Sequence, residues 1–179
     1  MPEVIPYIFE QKKYPADIFF LMNYFELFKI PISLSVDKAH LAKTFFELQK
    51  KYHPDFFSNA TPDEQEEALE KSSMANKALK TFQNPDSIIK YVLQLKGLLQ
   101  EEEKYELAPA FLMEVLELNE MKMEDVADAG LQQRTQQLQI EIYEPVKPII
   151  ENYVDGVTPD SDLLKVKEYY YRKKYLDRL

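Results

Sequence analysis

Cysteine is absent from the 179 residues, and that absence removes several chemistries at once. Without it there is no disulfide, no thiolate zinc site, no cysteine nucleophile and no thiolate ligand for a metal cluster. Glycine is nearly as scarce, at three residues. Phosphate-cradling loops and β-rich folds draw on glycine for tight turns and close backbone approach, so the composition leans towards helices. Positive charge is in deficit, with 22 Lys and Arg against 31 Asp and Glu for a net charge of −9. A nucleic-acid binder normally presents a basic surface, so this balance argues against that class, a local patch aside. No run of about 20 apolar residues exists to cross a membrane. The first residues also lack the basic region and apolar core of a signal peptide. The expectation is a cytoplasmic protein that works away from the membrane.

What is present is enough apolar surface to build a core: 45% of residues are hydrophobic and 30% charged. The length suits one ordinary domain or two small helical ones. Residues 1–22 stand apart, because Pro2, Pro6 and Pro15 interrupt any helical period. Met22 precedes a strongly patterned stretch, Asn23 to Phe28, and reads as a natural start with residues 1–22 as an extension. A packed N-terminal arm is the alternative.

From Ser35 the signals are regular. Ser35 is placed to cap a helix from Val36 to Tyr52, along which Leu41, Phe45, Leu48 and Tyr52 form one apolar face. His53-Pro54 ends it, since a residue before proline is pushed out of the helical region. After a polar loop, Thr61-Pro62-Asp63-Glu64 is a capping box with proline at the first helical position. The helix it starts carries Ala68, Ser72, Ala75, Leu79 and Phe82 on one stripe, small enough for close packing in an antiparallel hairpin. Asn84-Pro85-Asp86 opens another helix, closed by Gly97. The connector 98–108 includes the acidic run Glu101-Glu102-Glu103. Pro109 then begins a helix to about Met123, and a longer one runs from Asp128 or Gly130 to about Tyr153 with a bend or break at Pro145 and Pro148. Thr158-Pro159-Asp160 is expected to cap a final helix.

The sharpest chemical signal is His53-Pro54-Asp55 at the tip of the hairpin, directly after Lys50-Lys51-Tyr52. Lys43, Lys50 and Lys51 lie off the apolar face and make a positive patch on an acidic chain, suited to steering a complementary acidic surface. Asn76-Lys77-Ala78, Phe82 and Pro85 follow on the next helix. With only two histidines and no glycine-framed serine or phosphate loop, a hydrolase built on His53 and Asp55 is a poor rival. Two turn residues without function, since proline and aspartate favour turns, are the bland alternative.

A second signal runs from Phe111 to Leu118. Phe111, Val115 and Leu118 share one helical face; Leu112 and Leu116 share another, bordered by Met113, Glu117, Glu120 and Glu124. A bundle helix needs one apolar stripe, so the surplus reads either as a partner surface with a charged rim or as a second contact inside the bundle. Periodicity leaves both open. Tyr169-Tyr170-Tyr171 with Arg172, Lys173 and Lys174 offers a nucleic-acid stacking motif, but bundle packing with a solvated basic end is the preferred reading.

These motifs together resemble the HscB family of J-domain co-chaperones. The likeness covers residues 23–179 and rests on His53-Pro54-Asp55 in its hairpin and on Phe111-Leu112-Met113-Glu114-Val115-Leu116-Glu117-Leu118 beyond it. A terminal helix like Tyr175-Leu176-Asp177-Arg178-Leu179 completes the resemblance. It implies an all-α chain with a J domain over 23–97 and a C-terminal three-helix bundle over 109–179. It further implies no catalysis and no cofactor of the chain's own. By the resemblance, His53, Pro54, Asp55, Lys43, Lys50 and Lys51 engage the ATPase of an HscA- or DnaK-type chaperone. Leu112, Met113, Leu116, Glu117, Glu120, Glu124 and Tyr175 would bind an IscU-type scaffold for iron–sulfur clusters. Apart from the resemblance, a monomer is the simplest expectation. Two positions depart from the family pattern: Phe56 and Ile88 stand where relatives often carry a basic residue.

Overall fold

The computed structural model describes residues 22–123 and 128–178, and every regular element in them is helical. Expectations about an extension at residues 1–21, and about Glu124, lie outside these residues. The first helix, α1 (Tyr24–Phe28), is a single turn held by a capping box: Glu26 N–H donates to Asn23 Oδ1 at 3.0 Å, and Asn23 N–H to Glu26 Oε2 at 3.1 Å. A helix this short does not persist alone. It is held by Phe25 and Phe28, both fully buried against Phe82, with ring centroids at 4.8 and 5.4 Å.

Helix α2 (Lys38–Tyr52) begins later than expected. Asp37 caps it, not Ser35: Ala39 N–H donates to Asp37 Oδ1 at 2.9 Å. Ser35 is occupied in a turn, where its N–H donates to Ser33 Oγ, and half-buried Val36 packs against the core outside the helix. Helix α3 (Pro62–Phe82) starts at the expected capping box, and its buried stripe is Ala68, Ser72, Ala75, Ala78 and Phe82. Helices α2 and α3 pack against each other as the expected hairpin. Helix α4 (Pro85–Leu95) ends in a Schellman motif, with Gly97 at φ 68° and its N–H bonded to Gln94 O while Leu98 N–H reaches Leu93 O. Ile88 is 4% exposed, so the position that is basic in many relatives serves the core here.

The second half is a three-helix bundle of α5 (Pro109–Met123), α6 (Asp128–Tyr143) and α8 (Asp160–Leu176), with a short α7 (Lys147–Glu151). The expected long helix is broken at Glu144–Val146. Pro148 sits in the first turn of α7, where its missing N–H costs nothing. Thr158 does not cap α8. Its hydroxyl accepts from Val154 N–H at 3.0 Å and closes the preceding turn, while Pro159 occupies the cap position without a side-chain bond.

The segment between the halves is packed, not loose. Leu99 and Leu107 are buried, and Tyr105 stacks on Tyr171 with ring centroids 4.5 Å apart. Helix α4 lies against α8. Across that junction Lys167, 8% exposed, donates to Leu98 O at 2.6 Å and Glu103 Oε1 at 2.5 Å. Lys173 meets Asp86 at 2.6 Å, and Lys96 pairs with Asp155. The Lys167 hydrogen bond holds the Glu103 carboxyl below its ordinary range. A depressed carboxylate contributes at neutral pH, and that contribution is lost as the pH falls through the carboxylate range. Lys167→Met removes the ammonium and leaves Leu98 O without its donor. It is expected to cost about 1–3 kcal/mol, read from the urea midpoint. A midpoint identical to the parent's would show that the clamp carries no stability.

Candidate functional site

The residues singled out by the sequence fall on two exposed surfaces, one on each half. The first is the hairpin tip. Pro54 forces His53 into extended backbone (φ −64°, ψ 128°), which stops α2 at Tyr52. Pro54–Phe57 then make one 3₁₀ turn, closed by Phe56 N–H to His53 O at 3.0 Å. His53 Nδ1 accepts from Asp55 N–H at 3.3 Å, and it lies 3.6 Å from Asp55 Oδ2. Gln65, on α3, ties the far side of the loop by donating to Ala60 O at 3.1 Å. The backbone of the tip is thus built by caps and turns. Its functional groups are left outside: the Asp55 side chain is 83% exposed and that of His53 45%.

Lys43, Lys50 and Lys51 are all exposed on α2, as their positions in the helical period require. Lys51 Nζ sits 5.0 Å from the centre of the Tyr52 ring, and Lys71 approaches the same ring at 4.7 Å. Phe46, not singled out by the sequence reading, is 69% exposed on this helix, and so is Phe56 beside His53, with ring centroids 5.7 Å apart. Two shallow clefts lie elsewhere, at the α7–α8 turn beside Val157, Thr158 and Pro159. The tip protrudes at the end of the hairpin, away from those clefts.

The second surface is on α5. Phe111, Val115 and Leu118 are buried, as expected of the bundle stripe. Leu112, Met113 and Leu116 are 39%, 58% and 50% exposed, so the second stripe does not fill the core. Glu117 and Glu120 are exposed beside it. Arg134 on α6 bonds Glu114 at 2.9 Å and lies 3.5 Å from Glu141, fixing the register of the two helices. Arg172 of α8 lies over the Phe111 ring at 5.2 Å. That contact sets one turn of α8 beside the start of α5, and Tyr175, 37% exposed, stands one turn further on. Among the described residues no group of acidic or histidine side chains is arranged to hold a metal.

The tyrosine run is structural. Tyr169 and Tyr171 are buried and Tyr170 half-buried, and burial pushes the Tyr169 hydroxyl up to about 12. The basic residues that follow are engaged, Arg172 with Glu168 and Lys173 with Asp86 and Asp177.

Comparison with known proteins identifies the family. A family model described as the HSCB C-terminal oligomerisation domain matches residues 107–179, the half that carries the α5 face. A co-chaperone protein HscB homolog from Shewanella halifaxensis is 32% identical over 166 residues, covering 88% of this chain and 92% of that protein. The chain belongs to the HscB co-chaperone family. A second HscB homolog, from Photobacterium profundum, is 37% identical over 110 residues; that match covers 61% of this chain and 64% of the relative, so it spans less than two thirds of it. The crystal structure of human co-chaperone protein HscB superposes with a TM-score of 0.71 at 29% identity, covering 88% of this chain and 78% of that one. The all-helical plan of this HscB-family chain, a J domain followed by a three-helix bundle, is therefore shared at the level of fold.

Proposed function

We propose that this HscB-family chain is a non-catalytic co-chaperone in iron–sulfur cluster assembly. Its hairpin tip docks on the ATPase domain of an HscA- or DnaK-type chaperone and promotes ATP hydrolysis, and its α5 face binds an IscU-type scaffold. One observation carries the reading: the Asp55 carboxylate stands in solvent beside a half-exposed His53 ring whose one hydrogen bond, accepted from Asp55 N–H, leaves its other nitrogen facing outwards from the tip's own caps and turns. Side chains so placed contribute little to the fold and are free for a partner. Lys43, Lys50 and Lys51 steer an acidic surface towards them, and Asp55 supplies a carboxylate for a cation on the chaperone.

The scaffold face supports the second half of the proposal. Leu112, Met113 and Leu116 offer an apolar centre, Glu117 and Glu120 a charged rim, and Tyr175 an amphipathic edge. Glu124 belongs to the same proposed rim by its spacing. The α4–α8 junction holds both surfaces on one framework, so a scaffold bound to α5 is presented to the chaperone at a set distance. The chain adds binding and orientation, and the chaperone does the chemistry.

The test is steady-state ATP hydrolysis by the chaperone, with and without the scaffold. The parent protein is expected to stimulate alone and to stimulate more than additively with scaffold. Leu116→Asp places a charge in the apolar centre and is expected to keep the first effect and lose the second. Equal synergy from parent and variant would move the scaffold site off α5. A second use of the face, pairing two copies of this chain, is favoured by the matched domain's description as an oligomerisation domain. We take the chain as a monomer in the cytoplasm; sedimentation velocity over a range of concentrations separates the two, a growing dimer boundary supporting self-pairing.

A further inference from the structure

On α2, positions 43, 46 and 50 fall within an arc of about 60° at 100° per residue, opposite the core-facing Leu41, and His53, the C-cap residue, continues that side. Lys43, Lys50 and His53 are groups assigned above to chaperone docking. Among them sits Phe46, 69% exposed, in the middle of the run. Its neighbour Phe45 is half-buried against the core, so the adjacent phenylalanine is not needed to complete that packing. A phenylalanine at an exposed helical position is a weaker helix former than the lysines around it and gains nothing from solvent. Single exposed apolar residues are ordinary, but this one is flanked by cations along the helix and followed, past His53, by a second phenylalanine of equal exposure, Phe56.

We infer that Phe46 is the apolar anchor of the chaperone-docking face, seated in an apolar recess that an acidic surface of the ATPase-bearing chaperone surrounds. This rests on the docking role proposed for His53-Pro54-Asp55 and deepens it, because it divides the labour within one face. Charged pairs at a rim set encounter rate and orientation, whereas a desolvated aromatic at the centre sets how long the complex lasts. Lys43 and Lys50 thus form the rim, Phe46 the centre and His53 the trigger. Glu47, exposed beside Phe46, adds a like-charge penalty against wrongly registered acidic surfaces.

The experiment is a titration of chaperone ATPase stimulation by the full chain, comparing parent, Phe46→Ala, Phe46→Leu, Lys50→Ala and His53→Gln at low and moderate salt. Phe46→Ala is expected to raise the half-saturating concentration at least about tenfold at both salt concentrations and to reach the parent's maximum. Phe46→Leu should recover most of that loss. Lys50→Ala should weaken docking mainly at low salt, as screening predicts. Thermal melts of the Phe46 variants should match the parent, since the ring is outside the core. If Phe46→Ala docks within twofold of the parent while His53→Gln abolishes stimulation, the anchor is refuted and the docking role stands. A Phe46→Ala variant that loses maximal stimulation at unchanged half-saturation also refutes an anchor. If His53→Gln stimulates normally, the docking role fails and the anchor with it.

Discussion

His53→Gln is expected to fold and bind the scaffold as the parent does and to stimulate the chaperone's ATPase not at all. The folded chain asks little of the imidazole: one hydrogen bond accepted from Asp55 N–H at 3.3 Å, with the side chain 45% exposed. A glutamine oxygen can accept in its place, so the cost in stability stays within about 0.5 kcal/mol. What glutamine lacks is the ring that Pro54 and the 3₁₀ turn hold at the tip. Phosphate release measured beside a thermal melt separates the two consequences. Stimulation within twofold of the parent, at unchanged melting temperature, would leave His53-Pro54-Asp55 as nothing more than a turn.

Phe28→Ala carries the largest expected effect on the fold. The ring is 0% exposed and meets Phe82 edge-on at 5.4 Å, and it belongs to a five-residue helix that depends on tertiary packing to persist. Truncating a buried phenylalanine costs about 3–5 kcal/mol, a large share of the 5–15 kcal/mol that stabilises an ordinary domain. The loss extends beyond α1, because Tyr24 stacks on Tyr91 at 4.5 Å and donates its N–H to the Tyr91 hydroxyl at 2.9 Å. Releasing α1 therefore also strips α4 of a partner. Urea unfolding followed by circular dichroism should show a much lower midpoint. A midpoint near the parent's would mean that α1 is not integral to the J domain.

Local chemistry explains which parts of the molecule were legible in advance. Thr61 and Glu64, Asn84, Gly97 and the His53-Pro54 step each act on backbone within a few residues, so their elements start and stop where expected. Misreadings occurred where two local solutions competed. Ser35 and Asp37 both offer a cap, and the packing of Val36 decided for Asp37. Thr158 offered a cap to α8, and the turn back to Val154 took its hydroxyl instead.

The candidate sites divide the same way. The residue types and spacings of the tripeptide, the lysines and the α5 stripe are properties of the chain, and they suffice for the family resemblance. Whether Leu112 and Leu116 face a neighbouring helix or solvent is not a local property. Periodicity says that two faces exist, and only the arrangement of α6 and α8 around α5 leaves one of them uncovered. Phe46 is a different case: the helical period already puts it off the Phe45 face, and the packing adds only how far the ring is exposed. Lys167 is the strongest case. A lysine among surface charges becomes a buried clamp because the connector 98–108 folds back to bring Leu98 O and Glu103 to it, 69 and 64 residues away along the chain. Local sequence set the helices, most of their ends and the chemical groups at the hairpin tip, because caps, prolines and apolar periods act over one or two turns. Tertiary structure decided which faces stay open and how the two halves are joined, because burial depends on neighbours that are distant in the chain.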